Sequence, residues 1–168
     1  MQKLDKKTKD VCFQTEADKR FRLRAAAIII ENNHVLFATN DKSDYYYSIG
    51  GAIELGETAE QAVVREVFEE TGVKYEIDRL AFIEENFFKQ EEGLLKGLEC
   101  HEIVFFFLMK PRGSQEVSSN SKTFNNTIDE QKCWLPINEL DKYEAFPKWM
   151  GKKIKDIKPY IEHIVTLK

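Results

Sequence analysis

Three glutamates, Glu66, Glu69 and Glu70, stand close together shortly after a pair of glycines. An α-helix turns by about 100° per residue, so these three side chains share one face of a helix. Carboxylates crowded in this way repel one another and resist burial unless a cation neutralises them. The pattern therefore predicts a divalent-metal site with oxygen ligands. A solvated acidic helix face is the alternative that the residues alone leave open.

The helix that must carry these glutamates is predicted over residues 59–71. Thr58 has the side chain of a helix N-cap, and Gly72 stands where helices commonly end. The residues on the opposite arc are apolar and are expected to pack on a sheet. They are Val63, Val64, Val67 and Phe68.

Arg65 lies beside the acidic arc, where its guanidinium can reach Glu69 four residues on. Arginine also holds a carboxylate in a fixed orientation. Glu57, just before the helix, can accept hydrogen bonds from free backbone N–H groups or from Arg65. The Gly50–Gly51 pair lacks side chains, which favours a close approach of the backbone to another group.

Strands are predicted on both sides of this helix, and two neighbouring asparagines, Asn32 and Asn33, favour a tight hairpin turn between two of them. Leu80, Phe82 and Asn86 are expected on one face of their strand. Residues 91–97 and 111–126 are predicted loops. The predicted strands are 11–15, 22–30, 35–39, 45–49, 74–88, 100–109 and 131–135.

The C-terminal part is predicted to be helical. A helix is expected from Pro136 to about residue 143, since proline is tolerated at the start of a helix. Residues 146–168 then read as one or two amphipathic helices divided by Pro159. The expected buried stripe of this tail is Ile154, Ile157, Ile161, Ile164 and Val165.

Length and composition fit a single domain over residues 1–168, with a peripheral segment at 1–20 and a helical tail at 144–168. The net charge of −4 gives no basic surface for a nucleic-acid polymer, although a nucleotide screened by a metal remains a suitable ligand. The first ten residues lack a signal-peptide core, and the apolar runs are too short to span a membrane. Three cysteines without ligand-like spacing indicate a cytoplasmic protein.

The segment from Gly51 to Val73 resembles the Nudix box, G-x5-E-x7-R-E-U-x-E-E-x-G-U, where U is aliphatic. The later Trp-Leu-Pro-x-x-Glu-Leu segment is also similar to small bacterial proteins of the MutT/Nudix type. The resemblance implies an α/β fold, an α/β/α sandwich with a mixed β-sheet. Every defined position of the box is filled, by Gly51, Glu57, Arg65, Glu66, Val67, Glu69, Glu70, Gly72 and Val73.

The implied activity is hydrolysis of the pyrophosphate linkage in a nucleoside diphosphate derivative or a nucleoside triphosphate. Carried onto this chain, the resemblance implies Mg²⁺ or Mn²⁺ bound by Glu66, Glu69, Glu70 and the carbonyl of Gly50, supported by Arg65 and Glu57. A non-catalytic nucleotide-binding module is the alternative, although such modules usually lose carboxylates that this chain retains. Homodimers are common in the family, but no residue here indicates one.

The catalytic base and the substrate stay open. Glu66 or Glu70 is a candidate base, and so are loop glutamates, Glu130 or the Glu91–Glu92 pair, which are equally consistent with solvated charges. His101 opens a strand and either faces the cleft or ends the strand. The proline that marks ADP-ribose pyrophosphatases and the SQPWPFPxS-type motif of NADH pyrophosphatases are both absent.

Aromatic residues stand just before the glycine pair and at the end of the predicted strand 74–88. Alternation puts Tyr45 and Tyr47 on one face of their strand and Tyr46 on the other. That face is suited to stacking on a base or sugar, or else to ordinary strand packing. Phe87 and Phe88 pose the same choice.

Overall fold

The computed structural model describes residues 9–91, 95–118, 122–123 and 128–168. A mixed β-sheet runs through this part of the chain, and the main helix is α1 (Ala59–Thr71). Shorter pieces are α2 (Met150–Lys153) and two 3-10 helices, Ile137–Lys142 and Ile154–Asp156. The strands are β1 (Cys12–Gln14), β2 (Lys19–Ile28), β3 (Ile30–Glu31), β4 (His34–Asn40), β5 (Tyr46–Ala52), β6 (Ile77–Lys89), β7 (Glu99–Met109), β8 (Lys122–Thr123), β9 (Ile128–Pro136), β10 (Ala145–Phe146) and β11 (Glu162–Leu167).

The sheet has the order β11-β6-β7-β2-β5-β4-β9-β8 among the described strands. Its centre is β2, which runs parallel to β7 and antiparallel to β5. Within that antiparallel pair Ala26 lies opposite Gly50, and Ala25 lies opposite Gly51. The register therefore places the glycine pair beside β2, in the middle of the sheet and under α1.

Alternating side chains of the sheet build a core on each face. On the face covered by α1, Ala25 and Ala27 of β2 pack with Val63 and Val67 of the helix. On the other face, Ala26 and Ile28 belong to the core that includes Met150. The helix–sheet–helix layering and the mixed sheet confirm the predicted fold class.

The predicted strands are found, with differences at their ends. Asn32 and Asn33 adopt the positive φ values of 49° and 60° that the tight turn requires. The hairpin partner of β4 is the short β3, however, because β2 ends at Ile28 and its body pairs with β5 and β7. The predicted loop at 111–126 contains the two residues of β8, and its positions 119–121 and 124–127 lie outside the described residues. Positions 92–94 of the other loop also lie outside them.

One face assignment on β6 was wrong. The pairing of β6 with β7 shifts register between Leu80 and Phe82, as happens at a β-bulge. Leu80 therefore packs on the α1 side of the sheet, whereas Phe82 lies in the opposite core. Asn86 keeps the phase of Phe82, with which it shares its face.

The helical prediction for the C-terminal tail was also wrong. The helix expected after Pro136 is a short 3-10 helix, and α2 has only 4 residues. The chain then forms β11, which pairs in parallel with the outer edge of β6. Ile161, which lies just before β11, and Val165, which points away from the core within it, were expected in the buried stripe but are 51% and 52% exposed. Ile154 is buried, and Ile157 and Ile164 pack against the core as expected.

The three cysteines, Cys12, Cys100 and Cys133, carry free thiols. None of the helices in the described part of the chain is long and apolar enough to cross a bilayer.

Candidate active site

Thr58 and Gly72, from which the two ends of α1 were predicted, do fix the ends of this helix. The Thr58 hydroxyl accepts a hydrogen bond from the backbone N–H of Gln61 at 3.1 Å, and the Gln61 side chain accepts one from the N–H of Thr58 at 2.9 Å. This reciprocal pair is a capping box. At the other end Gly72 has a φ of +68°, and its N–H donates to the carbonyl of Phe68.

The buried face of α1 includes two of the carboxylates. Val64 and Phe68, expected to pack on the sheet, are 40% and 48% exposed instead. Glu70 follows Val63 by seven residues, about two turns, and so returns to the side that faces the sheet. The side chains of Glu66 and Glu70 are 16% and 12% exposed. The helix therefore presses two acidic groups against β5.

The glycine pair of β5 makes this approach possible. A Cβ atom on Gly51 would lie 2.5 Å from the carboxylate of Glu66. The backbone N–H of Gly50 donates to Glu70 Oε1 at 2.8 Å. Gly50 itself has a φ of +142°, and a Cβ there would lie 2.3 Å from the carbonyl oxygen of Ala25. The two glycines thus bring backbone and carboxylates into direct contact.

Arg65 organises the outer half of the acidic cluster. Its guanidinium donates to both oxygens of Glu57 at 2.8 and 2.9 Å, and to the carbonyl of Ala52 at 3.1 Å. It also donates to Glu66 at 2.6 Å and to the exposed Glu69 at 3.4 Å. The hydrogen bonds from Arg65 lower the pKa of Glu57, whereas burial raises the pKa of Glu66 despite them. Arg65 is anchored by Glu57, and Arg65 in turn fixes Glu66.

A second set of charged residues reaches Glu70 from β9. The Lys132 ammonium donates to Glu130 and lies 3.8 Å from Glu70 Oε2. The hydroxyl of Tyr47 donates to Glu130 Oε2 at 2.7 Å. Burial raises the pKa of Glu70 well above its usual value, and the charge of Glu130 raises it further, whereas Lys132 opposes the shift. The structure therefore places Glu130, one of the predicted loop candidates, beside the helix.

The sequence reasoning missed Lys132. No motif contains it, and the residues that it contacts are distant in sequence. The alternation of β9 carries the available signal, since Glu130, Lys132 and Trp134 share one face of that strand. That signal identifies neighbours on the strand, but it does not identify the helix that they face.

The chemistry of these donors fits a divalent cation. Glutamate oxygens are the hard ligands that Mg²⁺ and Mn²⁺ prefer, and two of the three carboxylates are mostly withdrawn from water. No group of three or more histidine, cysteine, aspartate or glutamate side chains converges on one ion position within the described residues. Arg65 and Lys132 supply the neutralising charge in this arrangement.

A groove of about 1180 Å³ is lined mainly by residues of β2, β5, β6, β7 and β11, and none of Glu57, Glu66, Glu69, Glu70 and Glu130 belongs to its lining. Two of its lining residues connect with the cluster: Tyr47 donates to Glu130, and the charge of Arg24 lowers the pKa of Glu66 against the effect of burial. The groove has an aromatic wall, where the ring of Tyr45 lies 6.1 Å from that of Tyr47 and 5.8 Å from that of Phe146. Glu91 also lines the groove, whereas Glu92 lies outside the described residues.

Two predicted candidates lie elsewhere. Phe87 stacks on His101 with ring centroids 4.1 Å apart, and the edge of His101 contacts Phe21. Neither Phe87 nor His101 lines the groove, whereas the next residue, Phe88, does. The structure thus brings Tyr45, Tyr47 and Glu130 to the site but leaves Phe87 outside it.

The family is decided by comparison with known proteins. A family model described as the NUDIX domain matches residues 21–157, which is most of the chain. The chain belongs to the Nudix family. This confirms the resemblance carried by the box, and it supports a hydrolase acting on pyrophosphate bonds.

Relatives of this Nudix protein include a MutT-like protein of Streptomyces ambofaciens, 30% identical over 121 residues, with 72% of this chain and 67% of that protein covered. The NAD-capped RNA hydrolase NudC of Haemophilus influenzae is 42% identical over 52 residues, which are 27% of this chain and 20% of that protein. The crystal structure of a mutator MutT protein from Bacillus halodurans has a TM-score of 0.64 at 19% identity, covering 86% of this chain and 90% of that one. It shows that the fold is shared.

Proposed function

We propose that this Nudix protein is a Mg²⁺- or Mn²⁺-dependent hydrolase that cleaves the pyrophosphate linkage of a nucleoside diphosphate derivative or a nucleoside triphosphate. One observation carries the proposal: Glu66 and Glu70 are held against the glycine pair with most of their surface withdrawn from water. Packing two carboxylates against a backbone is unfavourable unless positive charge is supplied there. An acidic face that was merely solvated would not need the glycines.

Glu66, Glu69, Glu70 and the carbonyl of Gly50 would hold the cation. When bound, Mg²⁺ or Mn²⁺ lowers the pKa of a coordinated water and offsets charge on the phosphates. Arg65 and Glu57 keep Glu66 in place through the guanidinium bridge. Glu70 or Glu130 would take the proton of the attacking water; the two carboxylates lie on either side of Lys132.

The groove would hold the organic part of the substrate. The rings of Tyr45, Tyr47 and Phe88 line the groove and would stack on a base or sugar, and Arg24, which pairs with Glu102, adds positive charge to the lining. Of the two phenylalanines considered for this role, Phe88 lines the groove and Phe87 does not. Hydrolysis of a pyrophosphate depends mainly on positioning and charge stabilisation, which the groove and the bound cation would provide.

The variant Glu70→Gln tests the role of the buried carboxylate. It keeps the size of the side chain but removes its charge, so we expect turnover to fall on the order of 10²-fold or more while the protein stays folded. Glu60→Gln is the matched control, because Glu60 is an exposed glutamate in the first turn of the same helix. Near-normal turnover of the Glu70→Gln protein would contradict the assignment.

A substrate panel tests the activity itself. It comprises ADP-ribose, dinucleoside polyphosphates, nucleotide sugars, normal and oxidised nucleoside triphosphates, and NAD-capped RNA, which is the substrate named for one relative. Each compound is assayed with Mg²⁺ and with Mn²⁺ separately, and chelation by EDTA should abolish product formation. Tight binding of a compound without any product after long incubation would favour a non-catalytic nucleotide-binding module instead.

A further inference from the structure

A fully buried lysine lies between two glutamates at the edge of the proposed metal site. The side chain of Lys132 is 0% exposed, and those of Glu130 and Glu70 are 5% and 12% exposed. Its ammonium donates to Glu130 and lies 3.8 Å from Glu70 Oε2. Two carboxylates on different elements, β9 and α1, therefore share one positive charge.

Other groups already fix the orientation of both carboxylates. The Gly50 N–H holds Glu70 through Oε1, and the Tyr47 hydroxyl holds Glu130 through Oε2. Lys132 is thus not needed to orient either group, and its contribution is charge. A single ammonium offsets one of the two negative charges, whereas a divalent cation at the same place would offset both.

The outer half of the cluster provides a contrast. There the neutralising group is Arg65, which is 25% exposed and has Glu57 and the carbonyl of Ala52 as further partners. Glu69 on that side is 56% exposed, so a cation can enter from solvent. On the β9 side the corresponding position is closed and filled by a side chain of the protein.

We propose that Lys132 occupies the position of an additional divalent cation and so limits the number of metal ions bound at Glu70 and Glu130. The inference rests on the proposed function, which assigns the resident cation to Glu66, Glu69, Glu70 and the carbonyl of Gly50. Lys132 acts on the metal site through the positive charge that it shares with the two carboxylates.

Counting Mn²⁺ ions tests this inference without any assay of turnover. The electron paramagnetic resonance signal of free Mn²⁺ gives the number of tightly bound ions per chain. We expect the Lys132→Met protein to bind one more Mn²⁺ than the wild type. The double variant Glu130→Gln/Lys132→Met should return to the wild-type count, because the additional position has lost a carboxylate. The matched control is Lys142→Met, which changes a lysine that is 71% exposed.

An unchanged Mn²⁺ count in Lys132→Met would overturn the inference. If Lys132→Met is unfolded without metal, restoration of its folding by Mn²⁺ supports the inference. If Mn²⁺ restores folding to neither Lys132→Met nor Lys132→Gln, the inference is contradicted. A wild type that hydrolyses no compound of the panel with either metal refutes the proposed function. An active, metal-dependent wild type with the same Mn²⁺ count as Lys132→Met refutes only the role of Lys132.

Discussion

Individual buried carboxylates differ in the groups that stabilise their negative charge. Burial by itself would raise the pKa of Glu102, but the guanidinium groups of Arg24 and Arg22 hold it below the usual value. Glu84 is 2% exposed and accepts a hydrogen bond at 2.6 Å from the hydroxyl of Thr166. Burial raises the pKa of Glu84, although Thr166, Trp149 and the charge of Arg24 oppose the shift.

The pH dependence of stability should reveal Glu84. Because its pKa is raised in the folded protein, the folded state binds more protons than the unfolded chain at pH values just above the ordinary value of 4.5. Its contribution is therefore fully present below that pH and is lost as the pH rises through the raised pKa. We expect Glu84→Gln, which cannot titrate, to gain stability relative to the wild type as the pH rises.

The measurement is the free energy of unfolding in urea, taken for both proteins from about pH 4 to pH 8. Glu60→Gln serves as the control for removing a carboxylate from an exposed position. A difference between wild type and Glu84→Gln that stays constant over the whole range would disprove the assignment.

Spacing predicts the residues of the box because one helix fixes their geometry. Glu57, Arg65 and Glu66 lie within ten residues, and the contacts among them follow from the turn of α1 and its entry. Lys132 and Arg24 join the site from other strands, so only the tertiary fold brings them there. Of the two aromatic candidates on β6, Phe88 lines the groove and Phe87 does not, a choice that the sequence left open because it does not fix the phase of the strand.

At the scale of elements, β5 and α1 meet at two adjacent glycines. We expect Gly50 to be needed for stability and Gly51 for activity. Gly50→Ala would place a Cβ 2.3 Å from the Ala25 carbonyl oxygen at a φ of +142°, so we expect a loss on the order of 3 kcal/mol or more. In Gly51→Ala the three atoms nearest the Cβ all belong to the carboxylate end of the Glu66 side chain rather than to backbone. That side chain moves aside, and the free energy of unfolding should change by less than about 1 kcal/mol.

Displacement of Glu66 should nevertheless reduce turnover of Gly51→Ala by roughly 10-fold or more, because small misplacements at a reacting centre are costly. Urea unfolding and the hydrolysis assay, made on the same preparations, separate the two effects. Full activity in a folded Gly51→Ala protein would show that the observed position of Glu66 is not required.

The C-terminal strand β11 is the element for which the spacing of apolar residues predicted the wrong secondary structure. The spacing of the tail isoleucines suits a helix, yet β6 has an outer edge that is satisfied only by another strand, and β11 pairs there. In a strand the neighbours Ile164 and Val165 face opposite ways, whereas the predicted helix buried both. Short apolar runs do not distinguish the two periods, so long-range pairing decided the outcome.

Two substitutions distinguish the strand from the helix in solution. We expect Ile164→Ala to cost about 1–2 kcal/mol, because this side chain packs on the core but is only partly buried. Val165→Ala should change stability by less than about 0.5 kcal/mol, since Val165 is 52% exposed. Denaturant titrations of the two variants and the wild type provide the comparison. Equal losses at both positions would favour a shared buried stripe and count against β11.

Over the whole molecule, one sheet supplies both cores. Successive residues of β2 enter opposite cores, with Ala25 and Ala27 on the α1 side and Ala26 and Ile28 on the other. If β2 leaves the sheet, both cores are therefore exposed to water. This sharing supports the proposal that residues 1–168 form one domain, and it predicts that the two faces unfold together.

The two tryptophans of the chain report on the two faces separately. Trp134 packs against the α1-side core, and Trp149 packs against the opposite core on Phe82 and Phe106. The variants Trp134→Phe and Trp149→Phe each leave a single fluorescent reporter. In each variant we expect the fluorescence midpoint in urea to coincide with the midpoint from far-ultraviolet circular dichroism on the same sample. Separate midpoints in either variant would mean that the faces unfold independently, because a shared β2 allows only one transition.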